Sequence, residues 1–92
     1  LTGSGLIYLK RLTNLRTLNV DDTQITDVGL RHIKGLTNLQ ELTLNRTPIT
    51  GASLATLRGL TKLCYLDLQH TQITNAGVAE LKKSLPNCKI LH

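Results

Sequence analysis

The same pattern returns at a fixed interval along this sequence, and this period limits what the chain can fold into. Isoleucine followed by threonine recurs at Ile25, Ile49 and Ile73. The segment 12–20, LTNLRTLNV, is matched by LTNLQELTL and LTKLCYLDL in the next two units. Units of this size bury their apolar face by stacking on their neighbours. We therefore expect a single domain over 1–92, with coils at about 1–24, 25–48 and 49–72 and a partial coil at 73–92.

The first half of each unit has the apolar spacing of a short helix. Leu30 and Ile33 lie three residues apart, and the same spacing recurs in the next two units. Threonine comes just before each of these segments and can accept a hydrogen bond from a free amide at a helix start. We expect helix N-caps at Thr26, Thr50 and Thr74. Gly35 and Gly59 are expected to end two helices in the left-handed conformation.

The second half of each unit alternates apolar and polar residues, which is typical of a short strand with one buried face. The alternation is clearest at Leu42-x-Leu44 and Leu66-x-Leu68. Stacking of successive coils would bring these strands together as a parallel sheet. We expect Leu18, Leu42 and Leu66 to form one interior column.

The pattern LxxLxLxx(N/C/T) occurs at 15–23, 39–47 and 63–71, and with it the chain resembles the leucine-rich repeat family. The segment 25–30, ITDVGL, is similar to the ITDxGL type found in bacterial arrays and in cysteine-containing arrays. The resemblance implies an α/β fold, a right-handed solenoid with a parallel sheet on its concave face and short helices on its convex face. It also implies protein–protein recognition.

The turn after each strand departs from the family pattern. The family commonly has asparagine there, whose stacked amides hydrogen-bond buried backbone groups of neighbouring coils. This chain has Thr23, Thr47 and Thr71. A hydroxyl offers one donor where an amide offers two, so we expect a thinner ladder of hydrogen bonds between coils.

The last unit leaves two alignments open. Ser84 stands where an apolar residue is expected. A one-residue insertion would place Cys88 at the position of Leu63, as a small buried residue, and Leu91 in the strand. Without the insertion, Ile90 takes the strand position, and Cys64 and Cys88 lie within disulfide reach on adjacent coils. The Ser84 mismatch favours the insertion.

The ends of the array carry no recognisable polar cap. The first coil, from Leu1, is expected to present an apolar edge. We therefore expect the chain to be a piece of a longer array, or to associate with itself through its uncapped ends.

The resemblance implies that the residues alternating with the buried leucines point outward on the concave face and contact a protein ligand. Tyr65, with Arg46 one coil away, is the best single anchor, because binding energy concentrates in tyrosine, tryptophan and arginine. Tyr8 is expected on the first helix, either packed or shielding the N-terminal edge. The candidate partner-binding residues are Thr17, Asn19, Asp21, Glu41, Thr43, Asn45, Arg46, Tyr65, Asp67, Gln69 and His70.

Charge is unevenly distributed between the expected concave and convex faces. The chain has eleven lysines and arginines and six acids, for a net charge of +5. Four acids fall on or beside the concave strip, so we expect a polar, somewhat basic partner. Basic residues near the helix ends are explained by the helix dipole, and the lack of aromatic residues there argues against nucleic acid. These bases are Lys10, Arg11, Arg31, Lys34, Arg58, Lys82 and Lys83.

Nothing in the sequence points to catalysis, to a cofactor or to a metal. His32, His70 and His92 form no ligand cluster, and no nucleophile or phosphate-binding motif occurs. No apolar run is long enough to span a membrane. Three other roles stay open: a structural spacer that stacks through its apolar ends, the substrate-recognition arm of a larger enzyme complex, and a basic surface for nucleic acid, whose binding would fall steeply with salt. Free cysteines favour the cytoplasm, but the sequence alone leaves the compartment unknown.

Overall fold

A computed structural model describes the backbone of residues 3–92 and the side chains from residue 5 onward, so the expectation for Leu1 lies outside the described residues. Strands and short helices alternate along the chain. A 3₁₀ segment at Gly3–Tyr8 precedes β1, a 3₁₀ turn at Arg31–Ile33 follows α1, and another at Gly51–Ser53 leads into α2. The regular elements are β1 (Thr17–Asn19), α1 (Asp27–Leu30), β2 (Glu41–Thr43), α2 (Leu54–Arg58), β3 (Tyr65–Asp67), α3 (Asn75–Ser84) and β4 (Lys89–Leu91).

The four strands form one parallel sheet in the order β1-β2-β3-β4. Equivalent residues of successive coils pair with each other, so that Leu18 lies beside Leu42, Leu42 beside Leu66 and Leu66 beside Ile90. Leu42 and Leu66 are fully buried, whereas Leu18 and Ile90 in the outer strands are partly buried against the same core. The expected interior column and the α/β fold with a parallel sheet are confirmed.

The core lies between the sheet and the helical segments. Leu42 in β2 and Leu44 just after it meet Leu30, Ile33 and Leu57 of the helical segments, and all are fully buried. Aliphatic side chains therefore supply nearly all of the burial that stabilises the chain.

The first coil is less covered than the coils that follow it. Leu12 is 49% exposed, whereas Leu36 and Leu60, at the same position in the next coils, are fully buried. Tyr8 is 81% exposed, so the packed alternative expected for it was wrong. It lies at the end of a 3₁₀ segment, and most of its surface faces solvent.

The threonine N-caps are confirmed. Thr26 Oγ1 accepts from the amide of Gly29 at 3.4 Å, and Thr74 Oγ1 accepts from the amide of Gly77 at 3.2 Å. Thr50 Oγ1 accepts from the amide of Ala52, also at 3.2 Å. Each hydroxyl satisfies an amide that has no partner within its helix.

The left-handed conformation predicted for the two glycines was wrong, although Gly59 does end a helix. No described glycine has a positive φ, and Gly59 ends α2 with φ −76° and ψ −14°. The left-handed residues are instead Asp22, Arg46 and His70, at φ of 57°, 58° and 57°. They occupy the same position after the strand in three successive coils, where the chain turns sharply away from the sheet.

The threonines after the strands hold that turn. The hydroxyls of Thr23, Thr47 and Thr71 donate to the carbonyls of Val20, Leu44 and Leu68 at 2.7, 2.8 and 2.8 Å. These bonds close a turn within one coil, so the expected hydroxyl ladder between coils is wrong. A short side chain reaches the carbonyl three residues back and does not reach the next coil.

The last coil combines the two alignments. The amide of Cys88 donates to the carbonyl of Leu85 at 3.1 Å, as the amide of Leu63 donates to Leu60 at 3.1 Å. The extra residue therefore lies before Leu85. However, Ile90 pairs with Leu66, so the expectation of Leu91 at that position was wrong. The loop before β4 is one residue shorter and restores the register.

Both cysteines are free thiols, with Cys64 exposed. Cys88 is partly buried against the core, as expected for a substitute for Leu63. Burial raises the pKa of the Cys88 thiol, and the nearby Cys64 thiol raises it further.

A carboxylate links the helix starts of two coils. Asp27 accepts hydrogen bonds from the Thr50 amide at 2.8 Å, the Thr50 hydroxyl at 2.7 Å and the Ser53 hydroxyl at 2.5 Å. Burial raises the pKa of Asp27, but the bonds from Ser53 and Thr50, with the charge of Arg31, outweigh burial and hold the pKa below its ordinary value. Ser53 itself is fully buried.

The first prediction concerns Thr47, which is 3% exposed. Thr47→Val should lower the free energy of unfolding by about 1–3 kcal/mol, because the Leu44 carbonyl would be left buried without its donor. Urea unfolding measures the change. Thr47→Ser keeps the hydroxyl and serves as the control. A loss of stability no larger than that of Thr47→Ser would contradict the role given to this bond.

The second prediction concerns pH. Because the pKa of folded Asp27 lies below its usual value of 3.8, the carboxylate stabilises the fold above that value. This stability is lost as the pH falls through the lower, folded-state pKa. Asp27→Asn should therefore destabilise the protein at neutral pH, and the difference from wild type should shrink in acid. Glu80→Gln, an exposed acid, is the control. A difference that does not depend on pH would exclude this account.

Candidate functional site

The solvent-facing side of the sheet, called here the sheet face, carries two rows of side chains that alternate with the buried column. Because alternate strand residues point to opposite sides, the register defines both rows. One contains Thr17, Glu41, Tyr65 and Lys89, and the other contains Asn19, Thr43, Asp67 and Leu91.

A shallow, open groove runs across the sheet face over the first three strands. Five of the predicted site residues line it together with Leu18, and these five are Thr17, Asn19, Glu41, Thr43 and Tyr65. The sequence period was sufficient to bring them together, because each strand has the same phase.

Within the first row, charged and aromatic side chains are neighbours. The hydroxyl of Thr17 donates to Glu41 Oε2 at 3.5 Å, and both residues are exposed. Tyr65 is half-buried in the next strand, with Lys89 beside it in register. Sequence analysis missed Lys89, because the open alignment after Ser84 hid its equivalence to Tyr65.

The acids at the ends of the strands are bound to the backbone. Asp21 Oδ1 accepts from the Asn45 amide at 2.8 Å, and Asp67 Oδ1 accepts from the Gln69 amide at 2.9 Å. Asp67 is only 8% exposed. These carboxylates fix the backbone at the point where it turns away from the sheet. Glu41 is therefore the exposed acid of the sheet face.

Arg46 binds Asp22 of the preceding coil through two hydrogen bonds. The guanidinium Nε donates to Oδ1, and Nη2 donates to Oδ2 at 3.0 Å. The hydrogen bond from Arg46 lowers the pKa of Asp22, and the same bond raises that of Arg46. Arg46 is thus paired with Asp22, and its predicted role beside Tyr65 would require it to leave that partner. His70 is exposed at the equivalent position of the next coil.

Two polar atoms near the middle of this surface lack a partner. Among the residues that the structure describes, Thr43 Oγ1 and Asn45 Oδ1 are buried and form no hydrogen bond. Buried polar atoms without partners cost stability, and both can accept a hydrogen bond.

The described residues hold no group of three or more His, Cys, Asp or Glu side chains positioned to bind a metal ion. Within the same residues, no helix has both the length and the apolar character needed to cross a membrane. What the groove offers is an open array of donors, acceptors and one aromatic ring.

Comparison with known proteins gives one match. A family model described as Leucine rich repeat matches residues 13–73, which is well over half of the chain. A search of curated proteins found no match.

Proposed function

Since the chain belongs to the leucine-rich repeat family, whose domains generally serve in protein interaction and are typically not enzymes, we propose that it recognises a protein partner through its sheet face. The observation that carries the proposal is the groove in which Tyr65 lies among polar side chains of three strands.

We infer the following geometry for the recognition surface. The coils wind in a right-handed sense, as nearly all connections between parallel strands of one sheet do. The sheet forms the concave face, the short helices form the convex face, and the repeats are of the 24-residue ITDxGL type. A concave sheet would direct the groove residues of the described strands toward one ligand.

The chemistry of the groove indicates what the partner presents. Tyr65 is half-buried, so it can contribute apolar contact without being held in the core. Glu41 and Lys89 lie on either side of it in register and can pair with charges of opposite sign. Thr43 Oγ1 and Asn45 Oδ1 would gain a partner if a ligand amide or hydroxyl reached them after small side-chain movements.

The same surface would serve if the chain were the substrate-recognition arm of a larger enzyme complex.

A spacer role rests instead on the first coil, where Leu12 and Ile7 are 49% and 42% exposed. Stacking of copies through this edge would make the sedimentation coefficient depend on concentration. Leu12→Gln should abolish that dependence if the spacer role holds.

The chain provides a matched pair of tyrosines for testing the sheet face. Tyr65 lies on the sheet face, and Tyr8, 81% exposed, lies on the 3₁₀ segment away from it. Proteins retained by the immobilised wild-type chain would be purified and titrated against Tyr65→Ala and Tyr8→Ala. We expect Tyr65→Ala to weaken binding by at least roughly 30-fold, as for a binding hot spot. Tyr8→Ala should change it little.

Equal affinity for both variants would contradict the assignment of binding to the sheet face. Glu41→Gln adds an independent check, since this exposed acid takes no part in the turns. It should weaken a partner that presents a basic group and make its binding less sensitive to salt.

A further inference from the structure

A line of cations follows the helical segments from coil to coil. Lys10, Lys34, Arg58 and Lys82 occupy the same position in successive coils, and all four are exposed. Each lies within the last turn of a helical segment or just after its end. Because successive helical segments pack against one another, residues at this common phase form a row on the side of the molecule that carries the helices, called here the helix side.

The row is widened into a continuous surface in the first three coils. Lys10 and Arg11 line one shallow depression together with Arg31, His32 and Lys34. Arg31 and Lys34 also line the next depression, which extends to Ala52, Ala55 and Gly59, the residue after Arg58. The bases of the first two coils therefore line one surface, and the adjoining depression reaches small residues of the third coil next to Arg58.

Few acids neutralise this surface. Among the described residues the ion pairs are Arg46–Asp22, at the end of the strands, and Lys83–Glu80 in α3, at 3.7 Å. Asp27 is near enough to Arg31 to feel its charge, but its oxygens are taken by Thr50 and Ser53. The helix dipole favours cations at a helix end, including Arg31 at the end of α1, and the row places these cations together on one side of the molecule.

An apolar patch adjoins the cations at one end. Ile7, 42% exposed, and Tyr8, 81% exposed, line a third depression together with Lys10 and Arg11. Tyrosine and aliphatic side chains next to basic residues suit the boundary between lipid headgroups and acyl chains. A nucleic-acid backbone would satisfy the cations but offers nothing to Ile7.

We propose that the helix side binds the surface of an anionic lipid bilayer. The row of cations contacts acidic headgroups, and Ile7 and Tyr8 enter the interface beside Lys10 and Arg11. This contact is independent of the proposed sheet-face function, because it uses the opposite side of the core. A chain bound in this way keeps its groove exposed to a protein partner.

Vesicle binding tests the proposal with two variants of equal charge. Lys10→Gln/Lys34→Gln/Arg58→Gln removes three cations from the row, and Arg16→Gln/Lys62→Gln/Lys89→Gln removes three from elsewhere. All six residues are exposed, so both variants should fold, which circular dichroism checks. The wild type should sediment with phosphatidylcholine vesicles that contain phosphatidylserine and not with pure phosphatidylcholine. The row variant should bind roughly 100-fold more weakly, and the other variant should bind nearly as well as wild type.

A fluorescent reporter tests the orientation. The chain has no tryptophan, so a single introduced indole gives an unambiguous signal. The emission of Tyr8→Trp should shift to the blue on addition of anionic vesicles, and that of Tyr65→Trp should not. Equal loss of binding in the two triple variants, a shift at Tyr65→Trp alone, or binding to duplex DNA but not to vesicles would each overturn the proposal.

Discussion

The pairing of parallel strands at one constant interval along the chain is the constraint on which the rest of this structure depends. Because every strand enters the sheet at the same phase, Leu42 and Leu66 fall into one buried column between Leu18 and Ile90. The same register aligns the outward side chains in rows and repeats the turn after each strand. A slip by one residue would turn the buried column toward solvent, so burial of the leucines holds the polar surface in place as well.

Polar side chains in this chain divide into those that the fold uses and those that remain exposed for contact. Asp21 and Asp67 bind backbone amides, and the threonines after the strands bind carbonyls. On the sheet face this leaves Glu41, Tyr65 and Lys89 as exposed or half-buried groups with different chemistry. The two sides of the molecule differ in charge for a related reason. Acids accept hydrogen bonds from backbone amides where the chain leaves the sheet, whereas the ends of the helical segments favour cations.

Features that follow from the repeat spacing could be predicted from the sequence. Features that depend on which side chains meet in the folded chain could not. The interior column, the threonine caps and five groove residues follow from spacing alone. The glycine prediction failed because short helical segments end here without a left-handed residue, and the sharp turn lies after the strands, at Asp22, Arg46 and His70. The Arg46–Asp22 pair joins equivalent positions of adjacent coils, but only the turn geometry brings their charged groups together. The exposure of Tyr8 depends on which residues pack over the first coil. The spacing of apolar residues along the sequence does not contain that information.

The additional residue in α3 shows where a coil can change length. That helix is longer than the helical segments before it, and the connection that follows is shorter by the same amount, so that Ile90 still meets Leu66. The extra residue in the helical half of the coil is thus compensated in the connection, before the backbone enters the next strand. A residue grafted into the helical half of a coil should be accommodated when the next connection is trimmed to match. The same insertion without a shorter connection would shift the register of every strand that follows it.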